Sequence, residues 1–464
     1  MRIVLADLKA ADGFVSKDTV AGGYGSRFRP FSRVTSVICA LKKRLHDLPS
    51  VQLAYGAALA ARAGHEVVSS EGALVDADVA IVLSSLVDYR RETVWAEKMR
   101  ARGTRVGFVG LAASKLPQLF APSADFVITG EPEAALARLF QGERLDGIVD
   151  SPAVNDLDAL PFPRWDLMAD DRRRFKLPLA ARPTGGSFPL LASRSCPEFC
   201  TYCPHRILTT YRARSVGNIL EELSHLASEE RRPYVVFRDP LFTQDRDRVL
   251  ELCEGIESRG LDLTFECETR LDRLDAAVLD RLHAVGLRAI SFGVESVSAE
   301  TLKKVGRRPI PQEQQRMVVN HCRQLGIVTA AFFVLGFLHD NWDSIGATID
   351  YAVDLSPTVA QFKWLTPYPG TPLWKQLGPK VNQEDWEEFD GFTPTFHHPN
   401  LTENEMRYLL GAAYNRFYMR PSYLANYLRI QQAGLRDVVA RLDARVAGMH
   451  SRREAAEMTR SVTC

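Results

Sequence analysis

The run Arg194-Ser-Cys-Pro-Glu-Phe-Cys-Thr-Tyr-Cys-Pro204 places three of the chain's eight cysteines within eight residues. Its C-x3-C-x2-C spacing offers three thiolates from one short loop, which suits three irons of a cubane [4Fe–4S] cluster and leaves the fourth iron without a protein ligand. Zinc is the alternative, because His205 could complete a Cys3His set. Structural zinc sites usually join ligand pairs from separated loops, so the spacing favours an iron–sulfur cluster on Cys196, Cys200 and Cys203.

The composition indicates a globular enzyme with several domains. The chain has 464 residues, of which 46% are hydrophobic and 25% charged, a length that corresponds to about three domains. Its formal net charge of +1 gives no electrostatic footprint for nucleic acid or an anionic membrane. The amino terminus lacks a secretory leader, no run of about 18 apolar residues occurs, and the remaining cysteines are not spaced as a disulfide framework. These features predict a protein of a reducing compartment, the cytoplasm, without a membrane span.

The first third of the chain alternates short β-rich runs with stretches of helical periodicity. The predicted strands cover 2–6, 66–69, 79–84, 105–110 and 125–129, and the predicted helices cover 51–63, 89–101 and 131–140. This alternation predicts an α/β domain over residues 1–145 with a doubly wound, Rossmann-like parallel sheet. Ligands of such sheets bind at the carboxyl ends of the strands. The candidate contacts at these ends are Ser84, Ser85, Gly110, Leu111, Gly130 and Glu131. No G-x-G-x-x-G follows the first strand, so a dinucleotide is disfavoured.

A glycine-rich insertion, Ala21-Gly-Gly-Tyr-Gly-Ser-Arg-Phe-Arg-Pro30, separates the first strand from the helix predicted at 51–63. Its glycines permit unusual backbone conformations, and its two arginines and two aromatic residues could hold a ligand. A surface excursion explains the same residues, so both interpretations stay open.

The rest of the chain divides into a linker, a second βα series and a helical end. Residues 146–184 include a proline-rich, aromatic stretch that predicts an interdomain linker. The second series has predicted strands at 190–193, 234–238, 263–268, 289–293, 328–335 and 360–365, and active groups are expected at their carboxyl ends. Residues 376–464 are predicted to form an α-helical C-terminal domain, with helical periodicity over 401–446 and fraying over 451–464.

Two parts of the chain resemble a known family. The cysteine run, with Tyr202 just before the third cysteine, is similar to the signature of the radical S-adenosylmethionine (SAM) superfamily. The stretches 51–67 and 124–133 resemble the cobalamin-binding domain that precedes many radical SAM domains. The resemblance implies a cobalamin domain over 1–145, in contact with cobalamin through the strand-end candidates above, and a partial (β/α)6 radical SAM barrel over 185–375. It also implies a [4Fe–4S] cluster whose open iron chelates the amino and carboxylate groups of SAM.

The same resemblance implies contacts to SAM at the strand ends of the barrel. Glu295 and Ser296 end a G-V-E-S run similar to that of the family, in which the acid reaches the ribose hydroxyls. Glu268 and Arg270 share one face of the third strand, so they could hold the SAM zwitterion or pair with each other. The further candidates are Tyr202 beside the cysteines, Asp239 where the family often has a glycine-rich turn, and Leu335 and Tyr368 in segments that resemble those bordering adenine.

One departure from the family concerns the cobalt. Cobalamin domains that supply an axial histidine carry D-x-H-x-x-G, yet none of the ten histidines has an aspartate two positions earlier. His65 is predicted to end a helix instead. A weakly held lower face would favour transfer of a methyl group as a radical, because cobalt(II) then returns easily to cobalt(I).

The resemblance as a whole implies a cobalamin-dependent radical SAM enzyme, in the first place a methyltransferase. One SAM would methylate cob(I)alamin, and a second would yield a 5′-deoxyadenosyl radical that takes hydrogen from an unactivated carbon. That carbon would then receive methyl from methylcobalamin. A radical cyclase or rearrangement enzyme is the alternative, and a non-catalytic cobalamin sensor is a more distant one. The expected partners are a small-molecule substrate and an external electron donor of the flavodoxin or ferredoxin type, with no nucleic acid and no membrane.

Overall fold

The amino-terminal third is built on a six-stranded parallel sheet in a computed structural model that describes residues 1–10, 12–17, 23–45, 48–168, 186–381, 385–421 and 423. The strands of this region are Arg2–Ala6 (β1), Phe14–Ser16 (β2), Ser26–Phe28 (β3), Glu66–Ser70 (β4), Val79–Leu83 (β5), Arg105–Val109 (β6), Phe126–Gly130 (β7) and Gly147–Ser151 (β8). The sheet order is β4-β1-β5-β6-β7-β8, and β2 and β3 form a separate antiparallel hairpin. All five predicted strands are present.

This order is that of a doubly wound sheet, with a topological switch point between β1 and β5. β5 is buried along its whole length, as expected for a parallel strand covered on both faces. The sheet extends past the predicted domain end at 145, because β8 pairs with β7. Four of the five residues of β8 are wholly or partly exposed, so this edge strand carries no apolar run that the sequence could have signalled.

Helices connect these strands. They span Arg33–Leu45, Val51–Arg62, Tyr89–Ala101, Leu111–Lys115, Pro117–Phe120 and Glu133–Phe140. The helix Val51–Arg62 begins at Ser50, whose hydroxyl accepts the backbone N–H of Leu53 and so caps the first turn. Its alanine-rich surface is buried against β1 and the helix Glu133–Phe140. The three predicted helices are therefore confirmed, each within two residues at either end.

The second domain carries another six-stranded parallel sheet. Its region contains the strands Ser187–Leu190 (β9), Ser193–Arg194 (β10), Arg212–Ala213 (β11), Tyr234–Phe237 (β12), Thr264–Thr269 (β13), Leu287–Glu295 (β14), Val328–Leu335 (β15) and Val359–Trp364 (β16). The sheet order is β16-β15-β14-β13-β12-β9, with no pairing between β9 and β16 within the described residues, so the sheet is open. The first strand was predicted at 190–193 but spans 187–190, and Ser193 pairs with β11 in a separate two-stranded ladder instead.

Helices alternate with these strands, and side chains divide between two faces. The helices are Val216–Glu229, Arg246–Ser258, Ala276–Ala284, Ala299–Lys304, Gln312–Leu325, Trp342–Leu355, Pro372–Leu377 and Glu403–Tyr418. In β13, Phe265 and Cys267 are buried in the apolar core, whereas Glu266 and Glu268 lie on the other, partly open face. This second face is polar, and the charge of Lys363 on β16 acts on Glu268 across it. We call this face of the sheet the charged interior of the domain.

The helix Glu403–Tyr418 covers the edge of this sheet. The hydroxyl of Tyr418 accepts the N–H of Ala360 and donates to its carbonyl, and Tyr414 makes the same pair of contacts with Phe362. Backbone groups of the edge strand β16 are thereby satisfied, which protects the edge from further pairing. The predicted helical periodicity is confirmed as far as residue 418. Its continuation over 424–446 and the predicted fraying over 451–464 lie outside the described residues.

The predicted absence of a membrane span can be compared with the helices. None of the helices found in the described ranges has the length and apolar character required to cross a bilayer.

Candidate functional site

The cysteine loop is held at both ends. It leaves β10 and returns through β11, which pair as a short antiparallel ladder. Asp239, after β12, accepts the N–H of Ala192 at 3.0 Å and the hydroxyl of Ser193 at 2.5 Å. Within the loop, Thr201 donates its N–H to Val305 and accepts the N–H of Leu373. Both oxygens of Asp239 therefore support the start of the loop, a structural role that the resemblance to SAM-binding turns did not suggest.

The three thiols are free and partly buried, which fits a metal cluster. Cys196, Cys200 and Cys203 form no disulfide. Burial raises the pKa of Cys196 and, more strongly, that of Cys203, so thiolates in this loop need a cation nearby. Arg307 donates toward the sulfur of Cys200 at 3.9 Å. Three cysteines in one loop are thus the donor set that three irons of a cubane require.

The zinc alternative needs His205 to join these thiols. Burial lowers the pKa of His205 to about 4, so the ring is neutral. Among the residues for which the structure gives positions, no three His, Cys, Asp or Glu side chains converge on one ion. A cubane does not require such convergence, because each thiolate binds a different iron.

Glu295 stands beside the cysteine loop and is linked to it. It ends β14 with φ +67°, at a register irregularity in the ladder to β15, and this conformation aims its side chain. Its carboxylate lies 3.6 Å from Arg307 and receives a hydrogen bond from Tyr202. Burial is the largest influence on the carboxylate and raises its pKa. A β-carbon on Gly293 would lie 2.1 Å from the Glu295 carboxylate, so the glycine of the G-V-E-S run leaves the space for it.

Glu268 lies in the same charged interior. Burial raises the pKa of Glu268 to about 7, although Arg238 and Lys363 oppose this shift. Arg270 does not pair with it. The Arg270 guanidinium binds Asp272 at 3.0 and 3.1 Å and the carbonyl of Arg308 at 3.0 Å. Glu268 and Arg270 were predicted either to hold SAM or to pair with each other, and the ion pair between them is wrong. Arg270 acts on Glu295 only through its charge, without a hydrogen bond to it in the described residues.

The remaining predicted SAM contacts differ in their surroundings. The side chain of Leu335 packs with Phe333 in the helix-covered core, so the alternation of β15 presents Val334 instead to the cluster that includes Tyr202. Tyr368 is buried and stacks on Tyr24, with ring centroids 5.2 Å apart. Ser296 is buried, and its hydroxyl accepts the N–H of Ser298. The side chain of Leu335 therefore faces away from Tyr202, and its predicted contact with SAM stays a prediction.

The six predicted cobalamin contacts do lie at the carboxyl ends of β5, β6 and β7, but most are used internally. The Ser84 hydroxyl accepts the N–H of Ala113, and Ser85 binds Glu92 through both its N–H and its hydroxyl. β-Carbons on Gly110 and Gly130 would approach Ser84 Oγ at 3.0 Å and the Ser151 carbonyl at 2.1 Å. These two glycines, both at positive φ, are thus required by packing within the domain.

Glu131 joins the two domains. Its carboxylate accepts both terminal nitrogens of Arg212 at 2.5 and 2.9 Å and lies 3.5 Å from Arg194. Leu111, the last of the six, is 1% exposed in an apolar cluster shared with the second domain. Glu131 is therefore an interdomain anchor, since its charge is already balanced by arginines from the cysteine-bearing domain.

Most of the described part of the insertion after β1 is buried, and its charged side chains pair with residues that follow β5. Lys17, on the described part of the hairpin, is 0% exposed at its side chain and binds Glu92 at 2.7 Å. Arg27 binds Asp88, which also accepts the N–H of Ala10 at 2.9 Å. These groups fill the switch point between β1 and β5. The surface excursion is therefore wrong for residues 23–28, whereas ligand binding by this insertion stays a prediction; residues 21 and 22 lie outside the described ranges.

The same hairpin reaches the second domain. Tyr24 donates its hydroxyl to the carbonyl of Pro369 at 2.6 Å, and Ser26 donates to the carbonyl of Asp390 at 3.0 Å. Lys363 donates to the Ser26 hydroxyl at 3.1 Å. The hairpin therefore fixes the carboxyl edge of the first sheet against the exit of β16.

Between the two domains, the end of β7 at Thr129 and Gly130 remains partly exposed, whereas the end of β6 is buried. Lys115 is the last residue of the helix Leu111–Lys115. A β-carbon on Gly370 would lie 3.5 Å from Cδ of this lysine, so the aliphatic part of Lys115 packs beside the glycine. Burial alone lowers the pKa of Lys115. The apolar cluster around it combines Phe120 of the first domain with Phe337 of the second and borders Tyr202. An apolar wall with one cation suits a flat ring that carries amide side chains and a phosphate, so these residues fit cobalamin.

His65 lies at the opposite edge of the first sheet. It directly precedes β4, at the amino ends of the strands, and its Nε2 lies 2.8 Å from the carbonyl of Phe140. The helix ends at Arg62, so His65 lies in the short connection to β4 and not at the helix end that was predicted for it.

Comparison with known proteins agrees with this geometry. The model of the radical SAM superfamily matches residues 190–352. An uncharacterized methyltransferase of Pyrococcus horikoshii is 28% identical over 65% of this chain and 69% of its own length. The anaerobic magnesium-protoporphyrin IX monomethyl ester cyclase of Rubrivivax gelatinosus is 25% identical over 66% of this chain and 58% of its own length.

A solved structure shares the fold. The radical SAM methyltransferase TsrM from Kitasatospora setae, with cobalamin and a [4Fe–4S] cluster bound, superposes with a TM-score of 0.60 at 14% identity, over 89% of this chain and 90% of its own. Residues 190–352 therefore carry a radical SAM domain, which coincides with the parallel-sheet domain that bears the cysteine loop. The chain as a whole shares its fold with the cobalamin-bound methyltransferase TsrM.

Three residues of the site were missed from the sequence: Arg307, Lys363 and Lys115. Arg307 and Lys363 become neighbours of the cysteines and of Glu268 only through strand order. A lysine at an inward position of an otherwise apolar strand was the available signal for Lys363.

Proposed function

We propose that this protein is a cobalamin-dependent radical SAM methyltransferase that acts on an unactivated carbon of a small molecule. One observation carries the proposal: Glu295 stands beside the free cysteines, at the edge of the second domain that faces the first. Tyr202 and Arg307 both contact Glu295, and Arg307 also contacts Cys200, so these two residues link the carboxylate to the cysteine loop. When bound, the cluster would supply the electron that splits SAM, and cobalamin would carry the methyl group.

The residues of the second domain would bind and orient SAM. Cys196, Cys200 and Cys203 would hold the cluster. Glu295 would accept hydrogen bonds from ribose, a contact that its bulged strand end and Arg307 pre-orient. Glu268 would accept a hydrogen bond from a cationic group of SAM while ionised. Val334 takes the place of Leu335 beside the adenine in this proposal.

The residues between the domains would hold cobalamin. Gly110, Gly130 and the buried serines shape the strand ends, while Lys115 would donate to an amide carbonyl or the phosphate of the cofactor. Tyr24 and Tyr368 close one side of this space by their stacked rings. His65 lies at the amino ends of the strands, away from the strand ends proposed for cobalamin, so it would not bind the cobalt.

A radical cyclase or rearrangement enzyme is the second candidate, because one relative carries the name of a cyclase. The two differ in the fate of SAM. Methyl transfer releases S-adenosylhomocysteine in addition to 5′-deoxyadenosine, whereas a cyclase releases 5′-deoxyadenosine alone.

The test uses the full chain, reconstituted anaerobically with iron, sulfide and cobalamin. With titanium(III) citrate and SAM, we expect 5′-deoxyadenosine, and one S-adenosylhomocysteine for each bound cobalamin even without substrate. The triple variant Cys196→Ala/Cys200→Ala/Cys203→Ala should lose iron and 5′-deoxyadenosine, while Cys253→Ala, in an outer helix, should keep both. Zinc with negligible iron would contradict the proposal, and a lack of S-adenosylhomocysteine would favour the cyclase.

A further inference from the structure

The cysteine loop exposes an aromatic ring to solvent. Phe199, between Cys196 and Cys200, has 72% of its surface exposed, the largest fraction among the large hydrophobic residues in the described ranges. The guanidinium of Arg206 lies over its ring, 3.6 Å from the centroid. The backbone of the loop packs closely on Gly306, since a β-carbon there would lie 2.6 Å from the Phe199 carbonyl. The hydrogen bond from Thr201 N–H to the Val305 carbonyl holds the two segments together. A single exposed ring is ordinary by itself, so its meaning depends on the charges that surround it on the cysteine loop.

Positive charge surrounds this ring. The cations of the loop and its neighbouring segments that reach solvent are Arg206, Arg273, Lys303, Lys304 and Arg308, and the carboxylates among them are Glu198, Asp272 and Glu300. Lys303 and Lys304 are exposed at the end of the helix Ala299–Lys304, just before the residue that binds Thr201. Five solvent-accessible cations therefore stand among three carboxylates in a chain whose net charge is only +1.

We propose that Phe199 and the basic residues around it form the docking surface for an acidic, flavin-bearing one-electron donor of the flavodoxin type. This inference rests on the proposed function, because it presumes a cluster on the cysteine loop. An acidic protein is steered to a basic patch, and electron-transfer encounters need only a small interface. The exposed edge of a flavin is a suitable partner for an exposed phenyl ring.

The electron transfer balances without a proton. The anionic flavin hydroquinone would lose one electron and become the neutral semiquinone, and the oxidised cluster would gain that electron. The shortest route passes through the loop itself, because Phe199 is the residue next to Cys200. Docking elsewhere would add protein between donor and cluster.

The test compares two variants of the full chain with two controls. Phe199→Ser removes the ring, and Lys303→Glu and Lys304→Glu together reverse the charge beside it. Tyr408→Ser and Lys98→Glu, an exposed aromatic and an exposed lysine on other helices, are the matched controls. Calorimetry with oxidised flavodoxin gives the Kd, and 5′-deoxyadenosine formation is followed with flavodoxin hydroquinone and, separately, with titanium(III) citrate.

We expect Phe199→Ser and the double lysine variant each to raise the Kd about fivefold or more and to slow the flavodoxin-driven rate accordingly. The double variant should also weaken the salt dependence of binding. Rates with titanium(III) citrate should stay within about twofold of wild type, since a small reductant needs no docking surface.

An unchanged Kd in both variants, or equal effects of the controls, would overturn the docking surface. Binding of a ferredoxin but not of flavodoxin would overturn the choice of a flavin donor. If Phe199→Ser fails to fold, the double lysine variant decides alone. Loss of product with titanium(III) citrate in the wild type would instead overturn the proposed function, and the Kd values would still judge the surface.

Discussion

The most informative perturbation removes the lysine that the insertion places at the switch point of the first sheet. The side chains of Lys17 and Glu92 are 0% exposed, and their charged atoms lie 2.7 Å apart. Lys17→Met would keep the volume of the side chain but leave the Glu92 carboxylate without its cation. Loss of one partner of a buried ion pair costs about 3–5 kcal/mol, because the remaining charge is uncompensated.

The loss should depend on pH. Burial is the largest influence on Glu92 and raises its pKa, while Lys17 opposes that shift. Removal of Lys17 therefore raises the pKa of Glu92 further. A carboxyl group whose pKa is raised by folding destabilises the folded state above its unfolded value of about 4.5. The loss of folding free energy in Lys17→Met should be greatest at pH 8. It should become smaller as the pH falls toward 5, because Glu92 then takes up a proton.

Hydrogen exchange in urea provides the assay, read on amides of β5 and of the helix Tyr89–Ala101, which carries Glu92. The free energy of opening there should fall by about 3–5 kcal/mol at pH 8. Lys17→Met/Glu92→Gln should recover most of the loss, and Lys98→Met, on the exposed side of the same helix, should show none. A loss below about 1 kcal/mol, an equal loss at both pH values, or no recovery in the double variant would refute the reasoning.

Three further predictions concern the site. Burial raises the pKa of Glu268 to about 7, so its carboxylate loses its charge between pH 8 and pH 6, and SAM affinity should fall about tenfold over that range. Glu268→Gln should make SAM affinity nearly independent of pH, and an unchanged pH dependence would reject the contact. Glu295→Gln should weaken SAM binding about tenfold or more at intact iron content, since a charged hydrogen bond is worth about 1.5–3 kcal/mol. Glu266→Gln is its control, because that carboxylate binds Tyr234 instead, and equal affinities of the two variants would count against Glu295. Electron paramagnetic resonance of the cob(II)alamin form should show no nitrogen splitting in wild type or in His65→Ala; a splitting lost in the variant would overturn the placement of His65.

Much of the fold follows from local patterns. The strands β1, β5 and β15 match their predicted bounds within one residue, because a buried parallel strand is a continuous apolar run. β8 escaped prediction, since a largely exposed edge strand has no such run. The cysteine loop was evident from spacing alone, because its three sulfurs come from one segment.

Pairings between distant segments were not predictable in the same way. Arg307 reaches Cys200 across 107 residues, and Lys17 reaches Glu92 across 75. Glu131 was predicted to contact a ligand at a strand end, yet Arg212 of the second domain binds it. A strand end shows where a side chain emerges, but not which other segment meets it there.

The sequence by itself determined the two parallel sheets and the loop that would hold the cluster, and its resemblance to the radical SAM family implied the class of enzyme. The sheets and the loop depend on the period of apolar residues and on residue spacing, both of which are local. Only the tertiary structure decided which charges are already paired, that the insertion fills the switch point, and that Phe199 faces solvent. The physical reason is that burial and ion pairing depend on the neighbours of a side chain in space, and strand order brings those neighbours from anywhere in the chain.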